Sequence, residues 1–253
     1  MNSRYDVQVR PLMRRAGDEA MTLFRHVRAR HKADGSPVTE ADRRAEEILV
    51  SGLEAAFPDD AIQSEEGLAA EEGTRQWFVD PLDGTGSFIE GLAHWGPTLG
   101  LVTDGVPIYG ALYLPRTGDY FHAEDGVAYW NDERLPELSE DAPTRRAILY
   151  IPSRLHAHVK LDWLGKARNL GSIAGHMALV ATGGAAGALV PGGWQPWDVA
   201  CGMAMLAATG GEARTFAGEP LDISRHLGQS FIAGSPGTVR WMLAEQRLRF
   251  FER

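Results

Sequence analysis

Asp80-Pro81-Leu82-Asp83-Gly84-Thr85-Gly86-Ser87-Phe88 follows directly on an apolar run, Trp77-Phe78-Val79. The run reads as a strand that delivers Asp80 to its end. Pro81 forces an extended neighbour and donates no hydrogen bond. Asp83 lies three residues on, across a turn, so both carboxylates can converge on one point. Two close carboxylates repel unless a proton or a cation sits between them, and hard oxygen ligands of this kind suit Mg²⁺. Gly84 and Gly86 let the backbone approach a ligand, and a helix beginning there offers N–H groups to a phosphate. The same residues also read as an Asp-Pro and Asp-Gly turn with solvated acids, and the segment alone does not separate the two readings.

Three further acidic positions bear on that choice. Ser64-Glu65-Glu66-Gly67 sets two acids just after an apolar stretch, Ala61-Ile62; by itself this is a solvated loop. Trp197-Asp198-Val199-Ala200 puts an acid where a helix begins, which by itself is an N-cap aspartate. Thr39 precedes Asp42 by three residues, close to a capping box with Asp in place of Glu.

Around these motifs the pattern predicts helices first. Met13, Ala16, Ala20, Leu23, Phe24 and Val27 recur at spacings of three and four. His31 to Pro37 is a polar break, and a second helix follows, with Ala41, Ala45, Ile48, Leu49, Leu53 and Phe57 on its apolar side. From Ala61 short strands take over. Thr98 to Val102 and Ile108 to Leu114 are predicted to pair through Asp104-Gly105, and Asp119 to His122 with Val127 to Trp130 around Asp125-Gly126. Glu137 to Arg145 is the most linker-like stretch. A strand at Ala147 to Ile151, a helix from about Ser172, a strand near Ala188 and a helix from about Val199 then alternate. The expected organisation is an α+β half over residues 1–140 and an α/β half over 141–253, with the active site between them.

Composition narrows the function. The chain has 253 residues and carries 34 acidic against 25 basic residues, a net charge of -9. A generic phosphate-backbone binder is basic, so no nucleic-acid partner is expected. An acidic chain still binds anions if a metal supplies positive charge. The single cysteine, Cys201, excludes an internal disulfide and a cysteine zinc cage, and reads as packing in an apolar helix. A reducing, cytoplasmic compartment is the simplest home. The N-terminal residues lack the apolar centre of a secretory signal. Leu170 to Trp197 contains no Asp, Glu, Lys or Arg, but its seven glycines and two prolines fit a buried helix, a turn and a strand, not a membrane span.

Taken in order, Lys32-Ala33-Asp34, Ser36 to Asp42, Glu65-Glu66, Asp80 to Thr85, Gly171 to Ala174, and Pro196 to Gly202 with Gly210-Gly211 resemble the inositol monophosphatase family. The resemblance runs from about residue 30 to 225. It implies a layered αβαβα sandwich, Mg²⁺-dependent and lithium-sensitive hydrolysis of phosphate monoesters, and a homodimer. It further implies a first metal held by Glu65, Asp80 and the Leu82 carbonyl, and a second held by Asp80, Asp83 and Asp198. Glu66 would act through water. Asp42 and Thr85 would orient or deprotonate the attacking water. Backbone N–H groups of Gly84 and Thr85 would contact the phosphate, and Gly171 and Ser172 would line the substrate.

Two departures from the family pattern bear on substrate. Ser87 replaces an asparagine common after the Asp-Gly-Thr motif, and Gly91 to Gly96 resembles the histidinol-phosphatase branch. Both main branches place an acid seven residues before the metal aspartate, where this chain has Pro191. The expected substrate is therefore a small phosphorylated molecule met with relaxed specificity, or one with a flat or apolar remainder. His94, Trp95, His176 and Trp194 are the candidates for its wall. Histidinol phosphate is the alternative substrate. A regulatory binding protein that keeps the fold without turnover is the rival from another class, and the intact acid set argues against it.

Overall fold

The computed structural model describes residues 4–27, 29–32, 35–67, 73–157, 159–244 and 247–250. Ala33 and Asp34 of the N-terminal motif lie outside these residues. Helix α1 (Asp6–Leu23) buries Val9, Met13, Ala16 and Ala20 at the predicted spacing. The polar break forms two short paired strands, β1 (Arg30–His31) and β2 (Pro37–Val38). Helix α2 (Glu40–Ala56) opens on a complete capping box, in which Asp42 Oδ2 accepts the Thr39 N–H at 2.8 Å.

A seven-stranded sheet follows. Its strands are β3 (Ala61–Ser64), β4 (Arg75–Asp83), β5 (Gly96–Thr103), β6 (Val106–Leu114), β7 (Asp119–Glu124), β8 (Val127–Trp130) and β9 (Glu133–Arg134), in that spatial order. Only β3 and β4 run parallel; the others are antiparallel neighbours. Asp104-Gly105 and Asp125-Gly126 turn the two predicted hairpins, all four residues at positive φ. Strand β4 differs from expectation in one respect. It does not stop at Asp80 but continues to Asp83, with a register shift between the two aspartates. A bulge of this kind re-aims side chains, and here it lets two acids leave one strand near one place.

The second sheet has five strands in the order β12, β10, β13, β15, β14, from β10 (Ile148–Tyr150), β12 (Lys166–Arg168), β13 (Gly187–Val190), β14 (Glu212–Thr215) and β15 (Phe231–Gly234). Strands β12, β10 and β13 are parallel and the rest antiparallel. Strands β11 (Val159–Leu161) and β16 (Leu248–Phe250) form a separate pair. Between the two sheets lie α4 (Ile173–Ala181) and α5 (Pro196–Ala208), while α1 and α2 cover the far face of the first sheet and α6 (Pro236–Leu243) that of the second. The layers are therefore α, β, α, β, α, as the resemblance implies.

Helix α5 seats deeply because Gly100 and Gly110 face each other on β5 and β6. A Cβ on Gly110 would meet the Cys201 carbonyl at 2.6 Å. This close approach brings the first turn of α5, and Asp198 with it, toward the strand that carries Asp80. Cys201 is fully buried in that contact and is packing, as expected.

Candidate active site

Four acids meet where β3, β4, α4 and α5 converge. The Glu65 N–H donates to the Val79 carbonyl at 3.0 Å, which continues the β3–β4 pairing and sets Glu65 beside Asp80. Asp80 and Asp83 are buried at the end of β4. Asp80 Oδ1 accepts the Leu82 N–H at 2.8 Å. Asp83 is held from α4: its Oδ2 accepts Ser172 Oγ at 2.5 Å and the Ala174 N–H at 2.8 Å. Asp198 Oδ2 accepts the Gln195 N–H at 2.6 Å.

That last bond corrects one expectation. Asp198 is not the N-cap of α5; Gln195 is, and Asp198 sits three residues in, closing a capping box. Capping uses one of its oxygens. Among the described residues no protein donor reaches Asp80 Oδ2 or Asp198 Oδ1. These oxygens are left for a ligand, and acids crowded together in this way are costly unless a cation compensates them.

The electrostatics point the same way. Burial, then Glu65, Asp83 and Asp198 in turn, push the Asp80 carboxyl well above the usual range. Asp83 is pushed up to about 6, chiefly by burial, against the opposing hydrogen bonds from Ser172, Ala174 and Ile173. Asp198 keeps some exposed surface, but its carboxyl is pushed up to about 7, by burial first and then by Asp83 and Glu65. Among the described residues no group of three or more His, Cys, Asp and Glu side chains stands close enough to hold a metal ion as it is. The donor set, acids plus the Leu82 carbonyl, fits a hard divalent cation.

A stability prediction follows. A carboxyl whose pKa is higher in the folded than in the unfolded chain contributes stability below the unfolded value and loses it as pH rises through the folded one. For Asp83 and Asp198 that window runs from about 4 to about 7. The metal-free protein is expected to melt at lower temperature at pH 8 than at pH 5, with a divalent cation restoring more at pH 8. Each kcal/mol corresponds to about 2–4 °C in a chain of this size. Thermal scans at the two pH values, with and without Mg²⁺, check this. Equal cation effects at both would contradict it.

Lys32 belongs to one of the motifs in the sequence, but its role at the site is not legible there. The stretch from Gln76 to Gly105 holds no Arg or Lys, yet Lys32 reaches in and pairs with Glu65 at 2.7 Å and with Glu66 at 2.5 Å. Burial lowers the Lys32 ammonium pKa, but the bonds to both glutamates outweigh this and raise it. Glu66 is pushed up by burial, with Lys32 opposing. A fixed cation thus neutralises the rim of the acid cluster.

Asp42 caps α2 with Oδ2 and takes a second role with Oδ1, which lies 3.1 Å from Thr85 Oγ1. Thr85 Oγ1 is also 3.1 Å from the Leu82 carbonyl. One hydroxyl proton serves either acceptor, so its lone pairs stay available to a water. Gly84 precedes α3 (Thr85–Glu90) at φ 88°. A Cβ there would lie 2.9 Å from the His94 carbonyl and 3.2 Å from that of Gly171. Only glycine fits this turn, and it gathers the loops of His94 and Gly171 around Thr85.

The expected wall is only partly there. Trp95 and Trp194 are buried in the core, Trp95 against Phe24 and Phe88, and Trp194 against Phe231. His176 stacks on Tyr150 at 4.6 Å, and its Nε2 accepts the Leu170 N–H at 2.9 Å. Burial, then the neighbouring His94, lowers the His176 pKa to about 4, so the ring is neutral. Pro191 is exposed just beyond β13.

Comparison with known proteins agrees with this assembly. The chain is 34% identical over 213 residues to the histidinol-phosphatase of Chlorobaculum parvum, covering 79% of this chain and 81% of that protein. It is 35% identical over 230 residues to the 3'(2'),5'-bisphosphate nucleotidase CysQ of Escherichia coli K12, covering 85% and 92%. Its structure superposes on IMPase TM1415 of Thermotoga maritima with a TM-score of 0.84 at 28% identity, covering 96% of each chain. The sequence profile of the inositol monophosphatase family matches residues 2–251. With the layered fold and the gathered acids, this match over nearly the full length makes the chain a member of the inositol monophosphatase family of phosphatases.

Proposed function

We propose that the chain hydrolyses small phosphate monoesters with Mg²⁺, by direct attack of water. The observation that carries this reading is the cluster of mutually repelling Asp80, Asp83 and Asp198 beside Glu65; among the described residues none of the three aspartates makes an ion pair. Glu65, Asp80 and the Leu82 carbonyl would hold one ion, and Asp80, Asp83 and Asp198 a second, with Glu66 acting through water. When bound, such ions lower the pKa of water and stabilise a leaving alkoxide.

The chain's own residues supply the rest. Thr85, its proton directed to Asp42 or Leu82, accepts a hydrogen bond from the attacking water and aims its oxygen. Burial raises the Asp42 carboxyl, while bonds from Thr39 and Thr85 oppose that shift; an acceptor so placed can receive the proton of Thr85 as water is deprotonated. Gly84 and Thr85 N–H groups, at the turn no side chain obstructs, would bind the phosphate. Ser172 Oγ and the Ile173 and Ala174 N–H groups hold Asp83, and Gly171 and Ser172 would border the substrate. Water as nucleophile requires no covalent intermediate.

At Pro191 the chain offers no acid to pair with hydroxyls or an amine. A pocket built on such pairing rejects analogues strongly, and one without it does not. Weak selection among ring-hydroxyl patterns is therefore expected. The test is phosphate release with Mg²⁺ from inositol 1-phosphate, glycerol 2-phosphate and histidinol phosphate. Turnover of more than one supports the reading, and release from none overturns it. A preference for inositol 1-phosphate above about a hundredfold, about 2.7 kcal/mol, would show that another residue replaces the missing acid.

Histidinol phosphate stands as a second reading because of the relative in Chlorobaculum parvum. A homodimer in the cytoplasm is the assembly and location that fit the family. No helix among the described residues is long and apolar enough to cross a membrane.

A further inference from the structure

Glu46 lies one helical turn beyond Asp42 on α2, so the two carboxylates share a face of that helix. Asp42 reaches Thr85 from there. Glu46 is half-buried and reaches Ser64, the last residue of β3. No step of the proposed reaction uses it.

Ser64 Oγ donates to Glu46 Oε1, and the Glu46 carboxylate also accepts the Glu66 N–H. A Cβ on Gly67 would lie 3.2 Å from Glu46 Oε1, so the chain still runs close to this carboxylate there. One side chain thus engages the residue before Glu65 and the residue after it. The sheet itself offers this segment less. Strand β3 is at the edge and has β4 as its single neighbour. The Glu65 N–H still reaches the Val79 carbonyl at 3.0 Å, and beyond that bond the β3–β4 ladder ends. Lys32 pairs with the carboxylates of Glu65 and Glu66; Glu46 fixes the chain that carries them.

Hydrogen bonds to an ionised acceptor are the strong ones, and two converge here. A group that holds a metal ligand without touching the metal commonly changes metal affinity by about ten- to a hundredfold when removed. A carboxylate that served only to dock α2 on the sheet would change stability instead.

We propose that Glu46 is a positioning residue for the first metal: by holding Ser64 and Glu66 it sets the Glu65 carboxylate where Asp80 and the Leu82 carbonyl can share an ion with it. This rests on the metal-dependent reading above. It also gives α2 two tasks one turn apart, Asp42 for the attacking water and Glu46 for the ligand loop.

The probe is Mn²⁺ alone, titrated calorimetrically into the EDTA-treated, desalted protein, beside the Mg²⁺ concentration that half-saturates phosphate release. Glu46→Ala is expected to weaken Mn²⁺ binding by about tenfold or more and to raise the half-saturating Mg²⁺ to match. The substrate KM at saturating Mg²⁺ should stay within about twofold of wild type. Two conservative variants separate the hold on the loop from the simple attraction of one more negative charge for a cation. Glu46→Gln loses the charge but keeps an oxygen for Ser64 or Glu66, and should recover part of the affinity. Glu46→Asp keeps the charge but falls short by one methylene, and should not. Ser64→Ala leaves the charge unchanged and should weaken Mn²⁺ binding several-fold, and its effect should not multiply with that of Glu46→Ala, because the two share one bond. Glu47→Gln, exposed on the same helix, is the control and should bind as wild type. If Glu46→Ala does not fold, Ser64→Ala decides. Mn²⁺ affinity that ignores these substitutions, or that follows charge alone with Asp like wild type and Gln like Ala, overturns this inference and leaves the metal reading standing. A wild-type protein that binds no Mn²⁺ overturns the metal reading and this inference with it.

Discussion

Asp83→Asn is expected to lower kcat/KM by more than about a hundredfold while leaving the fold intact. The amide keeps one carbonyl oxygen to accept from Ser172 Oγ or the Ala174 N–H, the donors that Asp83 uses now. What it loses is a negative charge and a strong oxygen ligand, and a hundredfold corresponds to about 2.7 kcal/mol of transition-state stabilisation. Stability should move the other way. Asp83 is buried among like charges, so its neutralisation relieves repulsion and the metal-free variant should melt no lower than wild type. Asp198→Asn should behave in the same manner, since its amide oxygen can still accept the Gln195 N–H and close the capping box. Steady-state kinetics and thermal melts on both variants decide the matter. Near-normal kinetics for Asp198→Asn would reduce that residue to a helix-capping role.

These variants bear on what is legible in the sequence. The hairpins at Asp104-Gly105 and Asp125-Gly126 are local: two residues at positive φ between alternating apolar runs specify them. The helix period of α1 and α2 is equally local. Long-range consequences are harder to read. Lys32 reaches Glu65 across 33 positions, and no spacing in the sequence announces that. The continuation of β4 through Pro81 depends on a partner, β5, that accommodates the register shift.

Aromatic residues show the same limit. Trp95 and Trp194 sit in motif-rich stretches, yet each has its indole N–H satisfied by a nearby carbonyl, Leu92 for one and Gln229 for the other. With that donor paired, the ring is free to pack, and both do. The acids are legible only as an ordered set, because singly Glu65-Glu66 reads as a solvated loop and Asp198 as a cap. Asp42 uses one oxygen to accept the Thr39 N–H and the other to accept the Thr85 hydroxyl.

Removal of divalent metal is expected to abolish turnover. Lys32 is committed to Glu65 and Glu66, and among the described residues no basic side chain forms an ion pair with Asp80, Asp83 or Asp198. The acids alone repel a phosphate dianion, and water near neutral pH is a poor nucleophile without a strong electrophile beside it. The most direct measurement is phosphate release from a hydrolysable monoester by the EDTA-treated, desalted protein, followed before and after Mg²⁺ is added back. The account predicts release at background level without metal and recovery on addition of Mg²⁺. Full activity in excess EDTA would contradict it.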